Sequence, residues 1–142
     1  MGTNNEASQE TVGSMVVRID GGTDFKVERT SFEITDGLIK VTALDGLGGP
    51  TQGKQFFSLA VAARAGHYDF NDLRETKYHL YSDMYDVSYE PRYGAGAVLY
   101  DETARQVYAV FSLEMRLLSK SPQDVIAPER VTLQTYFAFV AD

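Results

Sequence analysis

A glycine-rich stretch at residues 45–57, DGLGGPTQGKQFF, contains residue types that bind phosphate. Gly48, Gly53 and Lys54 match the spacing G-x-x-x-x-G-K, in which backbone amides and a lysine cradle the phosphates of a nucleotide. Such a site also needs a Ser or Thr after the lysine to hold magnesium, and a helix N-terminus that meets the anion. Here Gln55 follows Lys54. The stretch therefore predicts a flexible connection between strands, in which glycine and proline interrupt regular structure.

A second segment, AGHYDFNDLRE, places oxygen ligands close together at Asp69, Asn71 and Asp72. Oxygen atoms at alternate positions can bind calcium, so the segment suggests a calcium site. The order D-x-N-D lacks the glycine and glutamate placement of a calcium-binding hand. Asx turns and capping of a strand end explain the same residues, and this simpler explanation is favoured. No other cofactor is expected.

The candidates for catalysis are few. His67 and His79 are the only histidines, whereas catalytic and metal triads need a further, well-marked partner. Neither a G-x-S-x-G nor an H-E-x-x-H motif occurs. Two carboxylates facing across a cleft could hydrolyse a glycoside, but among twenty acidic residues some pair will always look suitable. The sequence therefore predicts a non-enzymatic protein, with a small carboxylate-dependent hydrolase as an alternative.

Tyrosines are concentrated in the middle of the chain. A tyrosine combines a rigid apolar ring with a polar hydroxyl, which suits recognition surfaces. The segment therefore suggests a ligand-binding platform for a protein or a carbohydrate, although the absence of tryptophan argues against a sugar. The alternative, favoured for any single tyrosine, is packing at sheet edges with the hydroxyl in water. The predicted platform consists of Tyr78, Tyr81, Tyr85, Tyr89 and Tyr93.

Composition limits the remaining options. The 142-residue chain has a net charge of −7, which disfavours nucleic acid and anionic membranes because both attract clustered Lys and Arg. No apolar run approaches the ~20 residues of a transmembrane helix, and the absence of cysteine excludes disulfides and Cys-based zinc sites. Residues 1–14 are small, polar and acidic and predict a disordered tail or tether. Residues 15–142 are expected to form a single antiparallel β domain.

Apolar and polar residues alternate with a period of two along most of the chain, which predicts antiparallel strands. The clearest case is TSFEITDGLIKVTALD, where Asp36 and Gly37 suit a two-residue hairpin turn because both of its positions need positive φ. That turn would pair Ile34 with Ile39 on one face. Seven to nine strands at hairpin-like spacing predict an antiparallel β-sandwich or a related barrel.

Several segments resemble a group of small, uncharacterised secreted β-lipoproteins of Gram-negative bacteria. The similar segments are GLIKVTALDG, GHYDF, GAVLYDETARQVYAVFSLE and VTLQTYFAFV. The resemblance implies an exported β-sandwich of the periplasm or cell surface, with no known reaction. We therefore expect a binding or interaction module of the bacterial cell envelope, with a cytoplasmic location as the alternative. A second alternative is an acidic inhibitor or immunity-type protein that binds a basic protein.

Overall fold

A computed structural model describes residues 12–22, 24–46 and 53–141 of the chain. These residues form nine strands and one short 3₁₀ turn, Phe70–Leu73. In chain order, the strands are β1 Val12–Asp20, β2 Arg29–Thr35, β3 Leu38–Asp45, β4 Lys54–Ala62, β5 Gly66–Tyr68, β6 Lys77–Tyr81, β7 Asp86–Asp101, β8 Gln106–Ser121 and β9 Arg130–Val140. The described part of the chain contains no helix with the length and apolar character that a membrane crossing requires.

The nine strands form one antiparallel sheet that curls into a nearly closed barrel, which confirms the predicted fold class in its barrel form. Along the sheet the order is β1-β9-β8-β7-β6-β4-β3-β2, and β5 pairs with β7. Side chains connect the end strand β2 to the opposite side of the seam. The ring of Phe32 on β2 stacks on Phe139 of β9 at 5.1 Å, and Arg105 Nη2 donates a hydrogen bond to the carbonyl of Ile34 at 3.2 Å.

Apolar side chains at alternate positions of the strands fill the barrel interior. The longest pattern is that of β8, whose buried residues are Val107, Ala109, Phe111, Leu113 and Met115. They lie on one face because successive side chains of a strand point to opposite sides. The interior is therefore the apolar face that the sequence predicts.

The first strand starts earlier than its hydrophobic pattern suggests. β1 begins at Val12 and pairs with β9 from that residue onward, whereas the apolar alternation begins at Met15. Gly13 and Ser14 carry no apolar signal, but backbone groups form ladder hydrogen bonds whatever the side chain. Residues 1–11 of the predicted tail lie outside the described residues.

The hairpin between β2 and β3 has the predicted turn. Asp36 has φ 55° and Gly37 has φ 74°, and Ile34 pairs with Ile39. Ile39 is fully buried, while Ile34 is half-buried and packs against the core. The turn chemistry and the hydrophobic pattern thus select the same register.

A short insertion closes the barrel between β4 and β7. The hydroxyl of Tyr68 on β5 lies 2.5 and 2.6 Å from the carbonyl oxygens of Ala62 and Arg64, at and just after the end of β4, and either oxygen can accept its one proton. The 3₁₀ turn follows and buries Leu73 completely. β6 then pairs with both β4 and β7. Residues 70–79 of this segment supply half of the residues that line the candidate site.

The replacement Gly37→Ala should lower the free energy of unfolding by about 1 kcal/mol, because a Cβ is disfavoured at positive φ. An added Cβ would meet no atom within 4 Å, so the loss reports backbone strain alone. Gly37→Asn is the matched control and should lose less, since asparagine tolerates the left-handed region. Urea denaturation measures both, and equal losses would contradict a turn with two positive φ angles.

Candidate functional site

A cavity of about 580 Å³ lies against the outward-facing side chains of β6 and β7, beside the 3₁₀ turn. We call it the outer cavity. Its apolar and aromatic lining consists of Phe56, Phe70, Tyr78, Tyr89, Pro91 and Leu118. Its polar lining consists of Arg74, Thr76, Lys77, His79, Ser88 and Glu90.

Strand register explains why the polar side chains meet there. Tyr78 points into the barrel and is buried, so its neighbours Lys77 and His79 point outward. Ser88 of β7 pairs directly with His79 of β6. Paired residues of an antiparallel ladder share a face, so Ser88 lies on the same outer side as His79.

The 3₁₀ turn forms one wall, and the predicted calcium ligands build it. Asp69 Oδ1 accepts a hydrogen bond from the N–H of Asn71 at 2.9 Å, and Asp72 Oδ2 accepts one from the N–H of Asp69 at 2.8 Å. The Asp69 N–H, with Arg64 at 3.3 Å, holds the pKa of Asp72 below its usual value. Asn71 Oδ1 accepts a hydrogen bond from Arg74 at 3.0 Å. These oxygens thus form the capping interactions that the sequence analysis favoured.

Calcium binding by these residues stays a prediction. Within residues 12–22, 24–46 and 53–141, no group of three or more His, Asp or Glu side chains is placed to hold a metal ion.

The outer cavity carries two positive charges. The guanidinium of Arg74 lies over the ring of Phe70, 5.1 Å from its centroid, and Lys77 lines the same space. The one acidic lining residue, Glu90, pairs with Arg116 at 2.7 Å. The cavity is therefore locally cationic on a chain whose net charge is −7. Such a site attracts anions over short distances, because surface charges are screened beyond about 10 Å.

The cavity also borders a buried hydroxyl. Thr76 is only 2% exposed, and its N–H donates to the carbonyl of Leu73 at 3.1 Å. Its Oγ1 has no hydrogen-bond partner among the described residues. A buried hydroxyl without a partner costs free energy, since it has lost its hydrogen bonds to water.

Three residues beside the cavity have the composition of a hydrolytic triad. His79 Nε2 lies 2.5 Å from Asp86 Oδ1, and Ser88 faces His79 across the ladder. A serine nucleophile needs a hydrogen bond to the histidine that takes its proton. In the described part of the chain no hydrogen bond joins Ser88 to His79. This cluster therefore supplies suitable residue types without the contact that would activate the serine.

The five tyrosines predicted as a platform do not share one surface. Tyr78 and Tyr89 are buried, with ring centroids 5.4 Å apart. Tyr85 and Tyr81 are half-buried. Tyr93 is exposed, farther along β7. The predicted platform is thus divided between the interior and the surface, because strand alternation and the loop before β7 turn these side chains in different directions.

Three of the tyrosines line a second cavity of about 380 Å³, between the barrel interior and the loop at residues 122–129. These are Tyr78, Tyr85 and Tyr89, of which Tyr78 and Tyr89 also border the outer cavity. The hydroxyl of Tyr89 donates to the carbonyl of Pro128 at 2.6 Å, and that of Tyr78 donates to Gln55. Two of the three hydroxyls are therefore already used within the protein.

Tyr78 belongs to a buried polar network at this end of the barrel. Gln55 Oε1 accepts its hydroxyl, while Gln55 Nε2 donates to the carbonyl of Asp24 at 2.9 Å and to Asp45 Oδ2 at 3.3 Å. Asp45 Oδ2 also accepts the N–H of Lys26 at 2.8 Å. Burial raises the pKa of the Tyr78 hydroxyl. The network fastens residues 24–26 to the ends of β3 and β4.

The glycine-rich stretch does not have the architecture of a phosphate-binding loop. Lys54 begins strand β4, where a nucleotide site requires a helix. Gly53 has φ 92° and precedes this strand, while Gly48 lies outside the described residues. The interpretation as a connection between strands agrees with the described part.

Several lining residues were not found by sequence reasoning. Arg74, Thr76 and Lys77 form no known motif, and Phe56 and Leu118 come from β4 and β8, far apart in the chain. The available signal was indirect, because outward positions of β6 follow from the inward position of Tyr78. Only the folded chain brings these five together.

A comparison of the chain with protein families, curated proteins and solved structures finds no match. The resemblance to secreted β-lipoproteins stays a prediction. The functional argument therefore rests on the geometry of the outer cavity and on its charges.

The replacement Tyr78→Phe should lower the free energy of unfolding at neutral pH by about 1–2 kcal/mol, because it leaves the buried Gln55 Oε1 without its donor. It should also change the response to alkali. A raised pKa keeps the folded-state hydroxyl protonated after the unfolded chain begins to ionise near pH 10. The contribution of the Tyr78 hydroxyl to the free energy of unfolding is therefore complete below pH 10 and is lost as the pH rises toward the folded-state pKa.

Urea denaturation at several pH values from about 8 to about 11.5 measures this response. Above pH 10 the wild type should lose stability faster than Tyr78→Phe, by at most about 1.4 kcal/mol per pH unit. The control is Tyr93→Phe, at an exposed ring, which should follow the wild-type curve. Identical curves for wild type and Tyr78→Phe would contradict the buried hydroxyl.

The replacement Thr76→Val keeps the shape of the side chain and removes its buried hydroxyl. Because Thr76 Oγ1 has no partner among the described residues, the free energy of unfolding should stay constant or rise by about 1 kcal/mol. Thr135→Val is the matched control, since Thr135 Oγ1 donates to the carbonyl of Val16 at 3.0 Å, and it should be destabilised. A loss of stability in Thr76→Val similar to that of the control would show that the Thr76 hydroxyl is bonded.

Proposed function

We propose that the protein is a non-enzymatic binding module whose outer cavity holds a small amphipathic anion. The observation that carries this proposal is the meeting of apolar surfaces with Arg74 and Lys77 in one cavity of about 580 Å³. Ligand sites commonly have volumes of about 300–1,000 Å³, with apolar walls and a few polar groups. The outer cavity has this composition.

The apolar walls would supply most of the binding free energy. Phe56 and Phe70 offer ring surface, and Pro91 and Leu118 extend it. Burial of apolar surface contributes roughly 25 cal/mol per Å². The walls come mainly from paired strands, so little conformational entropy is lost when a ligand binds.

The cations would select an anionic group. Asn71 Oδ1 and the ring of Phe70 both contact the guanidinium of Arg74, so its donors are oriented before a ligand arrives. A preorganised guanidinium binds a carboxylate at a smaller entropic cost than a freely rotating side chain. Lys77 adds a second charge in the same space. A carboxylate or a similar anion attached to an apolar body matches both parts of the cavity.

The other expectations from the sequence stay predictions. The cell-envelope location rests on the resemblance to secreted β-lipoproteins, and the acidic inhibitor rests on the net charge of −7. The carboxylate-dependent hydrolase would need an acid–base pair, which the outer cavity does not favour because its one acidic lining residue pairs with Arg116.

The test uses two probes that differ in one group, 4-phenylbutanoate and 4-phenylbutan-1-ol. Titration of the ¹⁵N-labelled protein by NMR should shift amide signals of residues 70–79 and 88–90 with both probes. The acid should bind about three- to tenfold more tightly than the alcohol, because a charge-assisted hydrogen bond adds about 1 kcal/mol at a partly exposed site.

Lys77→Gln should reduce the affinity for the acid and leave that for the alcohol unchanged. Lys40→Gln is the matched control, since Lys40 lies on β3 and does not line the outer cavity. The proposal is rejected if neither probe produces saturable shifts at these residues, or if acid and alcohol bind equally well.

A further inference from the structure

An apolar surface covers the outer side of four neighbouring strands, β1, β9, β8 and β7. We call it the apolar face. Two rows of side chains cross these strands in register. The first row is Val16, Tyr136, Val110 and Ala97, and the second is Ser14, Ala138, Tyr108 and Leu99. The five largest of these side chains are between 43% and 71% exposed.

The apolar face is nearly free of charge. The next row consists of Arg18, Gln134, Ser112 and Ala95, so the three rows contain Arg18 as their only charged residue. Over the whole chain 23% of the residues are charged, and the solvent side of an antiparallel sheet is normally polar. An exposed apolar patch of this extent marks an interaction site.

Two of the candidate occupants fit poorly. Residues 1–11, which precede β1, read MGTNNEASQET and offer almost no apolar surface. A lipid surface is disfavoured because anionic headgroups attract clustered basic residues, whereas the face has one arginine and the chain has a net charge of −7.

We infer that the occupant of the apolar face is a second copy of this chain, bound face to face in a symmetric dimer. Two chains of charge −7 repel each other, so their contact is least costly where neither carries acidic residues. The apolar face meets this condition, because two nearly uncharged copies of it can approach each other with little repulsion. A two-fold axis brings the same patch together from both chains.

The shape of the apolar face suits contact with a second copy. Large and small side chains are mixed on the face, since Tyr108 pairs with Ala138 on one side and with Leu99 on the other, and Val110 pairs with Ala97. Shallow hollows of about 360 and 260 Å³ lie on either side of Tyr108. Projecting rings on one copy can enter hollows on the other, as in well-packed interfaces.

The area predicts a weak dimer. Four strands about 4.8 Å apart, crossed by the two apolar rows and the more polar row beside them at spacings of about 7 Å, cover roughly 400 Å² of flat sheet on each chain. With its rim the pair would bury about 1,000 Å² in total, near the lower limit for a specific interface. We therefore expect a dissociation constant of about 10–100 μM.

Sedimentation velocity across a concentration series of the full chain tests this inference. At about 300 μM the wild type should approach twice the chain mass of 15.8 kDa, and at about 1 μM it should be a monomer. Val110→Glu and Leu99→Glu should stay monomeric at the higher concentration, because each places two like charges across the axis. Ile126→Glu is the control, since Ile126 is exposed outside the apolar face and should leave the dimer intact.

Leu99→Glu is the variant with the lower risk of misfolding, because Leu99 is the most exposed of the large apolar residues of the face. Circular dichroism confirms the fold of each variant. A wild type that stays monomeric throughout the series would overturn the inference, as would folded variants that still dimerise. Flotation with neutral phosphatidylcholine vesicles tests the remaining alternative, in which the apolar face binds lipid. A monomer that floats with these vesicles would assign the face to lipid and overturn the dimer.

Discussion

Pairing of backbone N–H and C=O groups between antiparallel strands is the constraint on which the rest of the structure depends. Because each ladder turns successive side chains to opposite faces, alternate residues of the same strands form the interior and the exterior of the barrel. Val107 to Met115 on β8 shows the consequence, with every second residue buried. The outer cavity and the apolar face both lie on the other set of positions.

Closure of the sheet adds a second requirement, since an open edge exposes unpaired backbone groups. The barrel is closed in this way at two places. Phe32 connects β2 to β9 and Arg105 connects β2 to the turn before β8, while β5 and the 3₁₀ turn fill the gap between β4 and β7. The second closure also creates the outer cavity, because the capped turn stands beside the outward side chains of β6. The segment that closes the barrel here thus also forms part of the candidate site.

The outer surface carries two regions of different chemistry. The outer cavity combines ring surface with two cations and suits a small anion, whereas the apolar face is broad and nearly uncharged. Burial of a flat apolar surface favours a partner that is equally flat, and a cavity favours a small molecule that fills it. One barrel can support both activities, since they use different strands or different ends of the long strands β7 and β8.

Local patterns in the sequence determined the strand-rich fold, the Asp36-Gly37 turn and the buried face of each strand, because these depend on neighbours a few residues away. The inward positions of Gln55 and Asp45 follow from the same alternation. The tertiary structure alone decided that β1 lies beside β9, that the five tyrosines separate, and that Phe56, Arg74 and Lys77 line one cavity. Such arrangements depend on which distant strands pair when the barrel closes, and a periodicity of two is the same for every partner.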